Sequence, residues 1–142
     1  MLKVGVVGCG HLGKIHIKLL NQSESFDLLG VYDNDINISK KAAHESGCKS
    51  YESFEKMIEE IDVLDIVTPT PSHYGYALKA IEKGVHVFIE KPLSDSKQRC
   101  LALIELAEKK YFRAAIDVFP EEPVPLDSSL RKKKKILFLI HI

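Results

Sequence analysis

Charge of one sign is the first thing this chain of 142 residues lacks: 20 lysines and arginines balance 20 aspartates and glutamates, for a formal net charge of zero. No overall field draws it to nucleic acid or to an anionic membrane, and neither partner is expected. Long apolar runs are missing too. The longest, residues 136–140, is far below the roughly 20 residues that cross a bilayer. No basic segment followed by a long apolar stretch opens the chain, so no signal peptide is expected. Cysteine is scarce: Cys9, Cys48 and Cys100 are odd in number, scattered and without C-x-x-C spacing. That argues against a disulfide framework and a cysteine metal site, and fits reduced thiols in a cytoplasmic protein. No metal-ligand constellation and no Ser/His/Asp arrangement stands out, so no metal is expected.

What is present is a globular composition, 45% apolar and 28% charged, of a length suited to one domain with one core. The most informative stretch lies near the start. An apolar run at residues 4–7 leads into Gly8-Cys9-Gly10-His11-Leu12-Gly13, a G-x-G-x-x-G between a strand-like and a helix-like segment. Gly8 permits the tight turn out of the strand. Gly10 has no side chain to keep a pyrophosphate from the backbone, and Gly13 lets the helix lie close on the sheet. The phosphates would then meet the positive end of that helix. Cys9 is either a small filler or, at a helix N-terminus, a thiol of lowered pKa.

The helix should run over residues 11–22, with Leu12, Ile15, Ile17, Leu19 and Leu20 packed on the sheet. Residues 26–32 form a second apolar strand that stops at Asp33, 20 positions beyond Gly13. An acidic residue there can accept hydrogen bonds from the adenosine ribose hydroxyls of NAD. It would repel the 2′-phosphate of NADP, and no arginine follows to offset that. The competing reading is a turn, since Asp33-Asn34-Asp35 also suits a helix N-cap.

Further along, residues 36–46 should be a helix ended by Gly47, 48–51 a minimal strand, and 54–61 a short helix capped by Ser53. A strand over 63–67 must stop at Pro69 and Pro71. Ser72 is placed to cap a helix reaching about Lys83. A fifth strand, 85–89, leads to Glu90-Lys91-Pro92, and Ser94 or Asp95 should begin a helix reaching about Lys110.

Strand and helix thus alternate, which predicts an α/β chain: one domain over residues 1–142, a three-layer, doubly wound Rossmann fold. With residues 112–118 and 136–140 as two further strands, the mainly parallel sheet should hold about six or seven strands. The glycine loop, Asp33, the segment 68–73 and Glu90-Lys91-Pro92 all fall at the carboxyl ends of strands, where such sheets bind ligands.

Three segments, G-V-V-G-C-G-H-L-G-K-I-H from Gly5, T-P-T-P-S-H-Y from Thr68 and G-V-H-V-F-I-E-K-P-L from Gly84, resemble the glucose–fructose oxidoreductase/inositol dehydrogenase (Gfo/Idh/MocA) family over residues 1–110. The resemblance implies an NAD(P)-binding Rossmann domain of an oxidoreductase acting on CH–OH donors. The cofactor would meet Gly8, Cys9, Gly10, His11, Leu12, Gly13, Asp33, Thr68, Pro69, Thr70, His73, Glu90 and Lys91. It also implies that Lys91 lies near the nicotinamide and assists catalysis, by orienting a reacting hydroxyl. His73 resembles a family position near the cofactor and otherwise reads as an exposed helix residue. Family members continue into a second α/β domain that holds the substrate. Only about 30 residues follow Lys110 here, so an incomplete catalyst is expected.

The segment A-A-I-D-V-F-P-E-E-P-V-P from Ala114, with His141 near the end, is similar instead to D-2-hydroxyacid dehydrogenases. That resemblance would give Asp117 a nicotinamide contact and make Glu122 and His141 a proton-transferring pair. It suggests a composite chain, a chimera or a truncated frame. Two alternatives therefore stand beside the NAD-binding domain: a structural module without retained activity, and a minimal hydroxyacid dehydrogenase. The basic run 131–135 is taken as a solvated turn. The apolar segment 136–142 is a candidate edge for pairing with a second copy.

Overall fold

Segments rich in valine, isoleucine and leucine alternate with helix-forming ones, and each type has room to complete its own hydrogen bonding. In the computed structural model, which describes residues 1–109, 114–116 and 136–138, they become strand and helix in turn. The elements are β1 (Leu2–Val7), α1 (His11–Asn21), β2 (Phe26–Tyr32), α2 (Ile36–Ser46), β3 (Lys49–Ser50) and α3 (Phe54–Ile58). They continue with β4 (Val63–Ile66), α4 (Thr70–Glu82), β5 (His86–Ile89), α5 (Lys97–Lys109), β6 (Ala114–Ile116) and β7 (Ile136–Phe138).

Helical crossovers return the chain to the same end of the sheet, so β1 to β5 are all parallel, in the order β3-β2-β1-β4-β5. The chain leaves β1 toward β3, then comes back to place β4 on the other side of β1. The carboxyl ends of β1 and β4 thus flank the switch point at which such sheets open a crevice.

Among the described residues this sheet holds five strands, where the sequence suggests about six or seven. β6 and β7 pair in parallel with each other, Ala114 opposite Ile136, as a separate two-stranded sheet. At three residues apiece, neither carries a hydrophobic pattern long enough to specify its partner.

One face of the sheet carries α3, α4 and α5 over a core that includes Val7, Phe54, Met57, Leu64, Ile66, Ala77, Ile81 and Leu103. The other carries α1 and α2 over Val6, Cys9, Ile17, Leu28, Val31, Ala42 and Ala43. Each large apolar side chain so buried contributes about 1.5–3 kcal/mol relative to exposure. Successive strand residues face opposite sides. Leu64 and Ile66 therefore enter the first core, and Asp65 between them points toward α1.

Three local expectations need correction. On α1 the stripe facing the sheet is Gly13, His16, Ile17 and Leu20, while Leu12, Ile15 and Leu19 are exposed. Burial follows the helical period through Gly13, which a count of apolar residues overlooks. α4 begins at Thr70, with Pro69 in the capping position and Pro71 in the first turn, so Ser72 is inside the helix rather than its cap. Proline suits a first turn because the amide it lacks would be unpaired there anyway. α5 starts at Lys97, later than expected, where the Arg99 amide donates to Ser96 Oγ at 3.3 Å.

Candidate functional site

The loop after β1 is shaped by what surrounds each glycine. Gly8 has φ +95°, and a Cβ on it would lie 2.6 Å from the Val67 carbonyl oxygen. Its amide donates to the Tyr32 carbonyl at 2.9 Å, tying the loop to the end of β2. Gly13, in the first turn of α1, is pressed against the Gly8 carbonyl oxygen so closely that a Cβ would collide with it. Gly10 is the opposite case. It precedes α1 in an extended conformation (φ −68°, ψ −163°), and a Cβ there would find nothing within 4 Å. No side chain caps α1, and its first turn holds no acidic residue. The amides of His11 and Leu12 therefore begin a helix whose positive end faces the open side of Gly10, an arrangement fitted to phosphate.

Asp33 closes the loop from the second strand. Its Oδ2 accepts the Cys9 amide at 2.8 Å and its Oδ1 the Asp35 amide at 3.0 Å. Each carboxylate oxygen has a further lone pair, so the group retains acceptor capacity for ribose hydroxyls. Asp35, not Asp33, is the N-cap of α2, accepting the Asn37 amide at 2.9 Å. Asn34 between them accepts from the hydroxyls of Tyr32 (3.3 Å) and, from α4, Tyr76 (3.1 Å). Sequence reasoning missed this contact, because nothing in the spacing links Asn34 to α4.

Cys9 is fully buried, its thiol 3.7 Å from the Tyr32 carbonyl. Burial first, and then the neighbouring Asp33 charge, push the thiol up to about 12. Helix-end activation is therefore corrected: the thiolate would be desolvated and would face a carboxylate, and Cys9 is a packing residue.

At the ends of β4 and β5 the sequence-predicted segments meet. His73 is buried, 1% exposed, with Nε2 2.7 Å from the Thr68 carbonyl and Nδ1 3.0 Å from the Pro92 carbonyl. It is not an exposed helix residue. It fastens the turn after β5 to the turn after β4. The Ser72 hydroxyl lies 2.7 Å from both Thr68 Oγ1 and the Pro69 carbonyl, while Thr70 opens α4. Lys91 is exposed, and the Lys91–Pro92 peptide is cis. The Glu90 amide donates to the Ile66 carbonyl at 3.0 Å, which extends the β4–β5 ladder to the turn.

Behind that turn lies a cluster the sequence reading did not find. His16 of α1 has Nδ1 2.9 Å from Asp65 Oδ2 and Nε2 3.2 Å from Glu90 Oε1. Phe88 of β5 is its aromatic neighbour, with ring centroids 6.2 Å apart. The hydrogen bond to Asp65 holds the His16 imidazole above the ordinary histidine value, against a smaller opposing effect of burial. Burial raises the Asp65 carboxyl in turn, more than His16 lowers it. A carboxylate at each ring nitrogen of His16 favours the imidazolium. Asp65 Oδ1 is buried with no hydrogen-bond partner among the described residues, so Asp65 depends on His16. The available signal was the carboxylate itself, in an apolar strand between Leu64 and Ile66, which demands a partner.

Asp117, Glu122, His141 and the basic run 131–135 lie outside the described residues. Among the described residues, no group of three or more His, Cys, Asp and Glu could hold a metal ion, and no helix is long and apolar enough to cross a membrane.

Comparison with known proteins joins these features. Residues 2–118 match a family described as GFO_IDH_MocA, an oxidoreductase family with an NAD-binding Rossmann fold. The chain is 34% identical over 115 residues to UDP-N-acetylglucosamine 3-dehydrogenase of Acidithiobacillus ferrooxidans, covering 81% of this chain and 36% of that one. The solved structure of that enzyme superposes with a TM-score of 0.77 over 81% of this chain and 37% of its own. Inositol 2-dehydrogenase of Ralstonia nicotianae is 30% identical over 141 residues, 96% of this chain and 41% of that one. The structure of GenD2 from gentamicin A biosynthesis, in complex with NAD, is 26% identical with a TM-score of 0.76, covering 79% of this chain and 33% of its own. The chain thus spans well under half the length of these relatives. The family match runs past residue 110 and takes in β6 and Asp117. Together with the 141-residue likeness to inositol 2-dehydrogenase, it leaves the hydroxyacid-dehydrogenase resemblance of the tail, and the composite origin built on it, without support.

Proposed function

Because the chain belongs to the Gfo/Idh/MocA oxidoreductase family, with its NAD-binding Rossmann fold, we propose that it binds NAD(H) across the carboxyl ends of β1, β2 and β4 and prefers it to NADP(H). The observation that carries the reading is the coupling of loop to carboxylate. The amide of Cys9, inside the G-x-G-x-x-G, donates to Asp33 Oδ2 at 2.8 Å, beside the open side of Gly10. Pyrophosphate and adenosine ribose need those two groups in fixed relation, and one hydrogen bond supplies it. Asp33 would accept from the ribose hydroxyls, and its charge would oppose a 2′-phosphate.

The bound cofactor supplies a hydride acceptor or donor. Around it, this chain's groups hold and orient: Thr68, Pro69 and Thr70 shape the wall after β4, His73 locks that wall to the turn after β5, and Lys91 projects from the turn. An ammonium there orients a reacting hydroxyl and offsets developing negative charge. The relatives act, by name, on a sugar nucleotide and on inositol. A secondary alcohol of a sugar or cyclitol ring is the corresponding substrate class here.

Isothermal titration of the chain with NAD and NADP tests the proposal. Tighter NAD binding is expected, with about a tenfold loss of the preference, roughly 1.4 kcal/mol, in Asp33→Ala. Equal affinities in the unaltered chain would sink the specificity claim. Absence of any thermal shift at millimolar NAD would leave a fold without the ligand.

A further inference from the structure

An unbroken path of polar contacts runs from the middle of the sheet to the backbone of Lys91. Asp65 Oδ2 lies 2.9 Å from His16 Nδ1, His16 Nε2 lies 3.2 Å from Glu90 Oε1, and Glu90 Oε2 accepts the Lys91 amide at 3.1 Å. Three separate elements contribute: β4, α1 and the turn after β5. A neutral imidazole has a single N–H, so it satisfies one of the two carboxylates and turns a lone pair toward the other; the imidazolium donates to both.

We propose that His16, as the imidazolium, is the positioning residue for the Glu90-Lys91-Pro92 turn, holding the Lys91 backbone in place when charged and releasing Glu90 when it loses its proton. Asp65 is the fixed anchor. It is buried, its second oxygen has no hydrogen-bond partner among the described residues, and the strand that carries it pairs on both edges. Glu90 is the movable end, since it sits where the ladder stops. The charged groups acting on His16 are Asp65 from β4 and Glu90 from the end of β5, while its neighbour Phe88 is uncharged. Loss of the His16 proton therefore leaves two carboxylates facing an imidazole that can donate to only one of them. The consequence for cofactor chemistry rests on the NAD(H) reading above, because that reading has the Lys91 ammonium orient the reacting hydroxyl.

The test is NMR on the full chain from about pH 5.5 to 9, a window in which an unperturbed histidine titrates and an unperturbed carboxylate does not. It follows the His16 ring and the Lys91 backbone amide together. The Lys91 amide is expected to shift with the His16 midpoint, and to become insensitive to pH across the window in His16→Gln. Asp65→Asn should lower that midpoint by about one pH unit. Glu90→Gln, at a partly exposed site where folding is not at stake, should uncouple the amide while His16 still titrates. A Lys91 amide that stays still while His16 titrates, or that moves as before in His16→Gln, overturns the proposal. If the Lys91 amide follows His16 but the chain fails to bind NADH, the positioning role stands and the cofactor reading falls.

Discussion

Gly10 and Gly13 lie in the same loop–helix junction, yet they should respond to the same substitution in opposite ways. At Gly10 an alanine Cβ meets nothing within 4 Å, and the backbone (φ −68°, ψ −163°) is open to any residue. Two stability effects then compete. Alanine restricts the unfolded chain, worth about 0.4–1 kcal/mol, but is a poorer N-cap than glycine by about half a kcal/mol. They nearly cancel, so Gly10→Ala should melt within about 2 °C of the unaltered protein. Its methyl group, however, would occupy the side from which, in the proposed binding mode, a pyrophosphate reaches the amides of α1. Loss of that approach should weaken NAD binding by at least about tenfold, roughly 1.4 kcal/mol. Gly13→Ala behaves otherwise. Helix propensity favours alanine by about 1 kcal/mol, yet its Cβ collides with the rigid Gly8 carbonyl oxygen, where overpacking costs about 1–3 kcal/mol or more. With backbone on the far side of the clash, we take the upper end, a net loss of about 2 kcal/mol and a melting point lower by several degrees. Thermal melts and calorimetric titration of both variants form the assay. Gly10→Ala that binds NAD within twofold of the unaltered chain would refute the cradle. A Gly13→Ala protein of undiminished stability would refute the close approach of α1 to the loop.

Asp35→Ala should cost about 1 kcal/mol through loss of the α2 cap while leaving NAD affinity unchanged, whereas Asp33→Ala should weaken NAD binding as well as remove the acceptor of the Cys9 and Asp35 amides; denaturant melts and titration separate the two. His16→Ala leaves Asp65 buried without its hydrogen-bond partner and should lower stability by about 2 kcal/mol. Asp65→Leu with His16→Leu should restore much of that loss, as apolar replacements of buried pairs do, and a full-size loss in the double variant would contradict the account. The His16 value is raised in the folded state. Its stabilisation is therefore complete below the unfolded-state value and lost as pH rises through the folded one, so the melting temperature should fall across that interval, and not in His16→Gln. Cys9, buried and pushed up to about 12, should alkylate more slowly than Cys48 or Cys100 near pH 8; mass mapping of iodoacetamide adducts checks it, and equal rates would contradict the packing role.

Much of this was legible because it depends on short-range rules. The apolar runs before Gly8 and before Asp33 announced β1 and β2, and Ser53 capped α3 as its side chain allows, accepting the Lys56 amide at 3.4 Å. Three kinds of feature were hidden. The start of α4 moved three residues earlier, from a Ser72 cap to a Pro69 cap, and that of α5 moved later, to Lys97, because proline and serine each suit more than one position of a first turn. The burial of His73 depended on a carbonyl 19 residues away, at Pro92. The partnering of β6 and β7 required knowing where two three-residue segments lie in space.

By itself the sequence determined the alternation of strand and helix, the glycine turn and the acidic residue 20 positions on, because periodicity and backbone sterics act within a few residues. Only the tertiary structure decided which long-range partners those residues have. It joined Asp33 to the Cys9 amide, turned Cys9 into core, and set His16 between Asp65 and Glu90. The reason is physical: a carboxylate or an imidazole is satisfied by any partner of the right chemistry, and which one it meets is fixed by how the helices pack across the sheet.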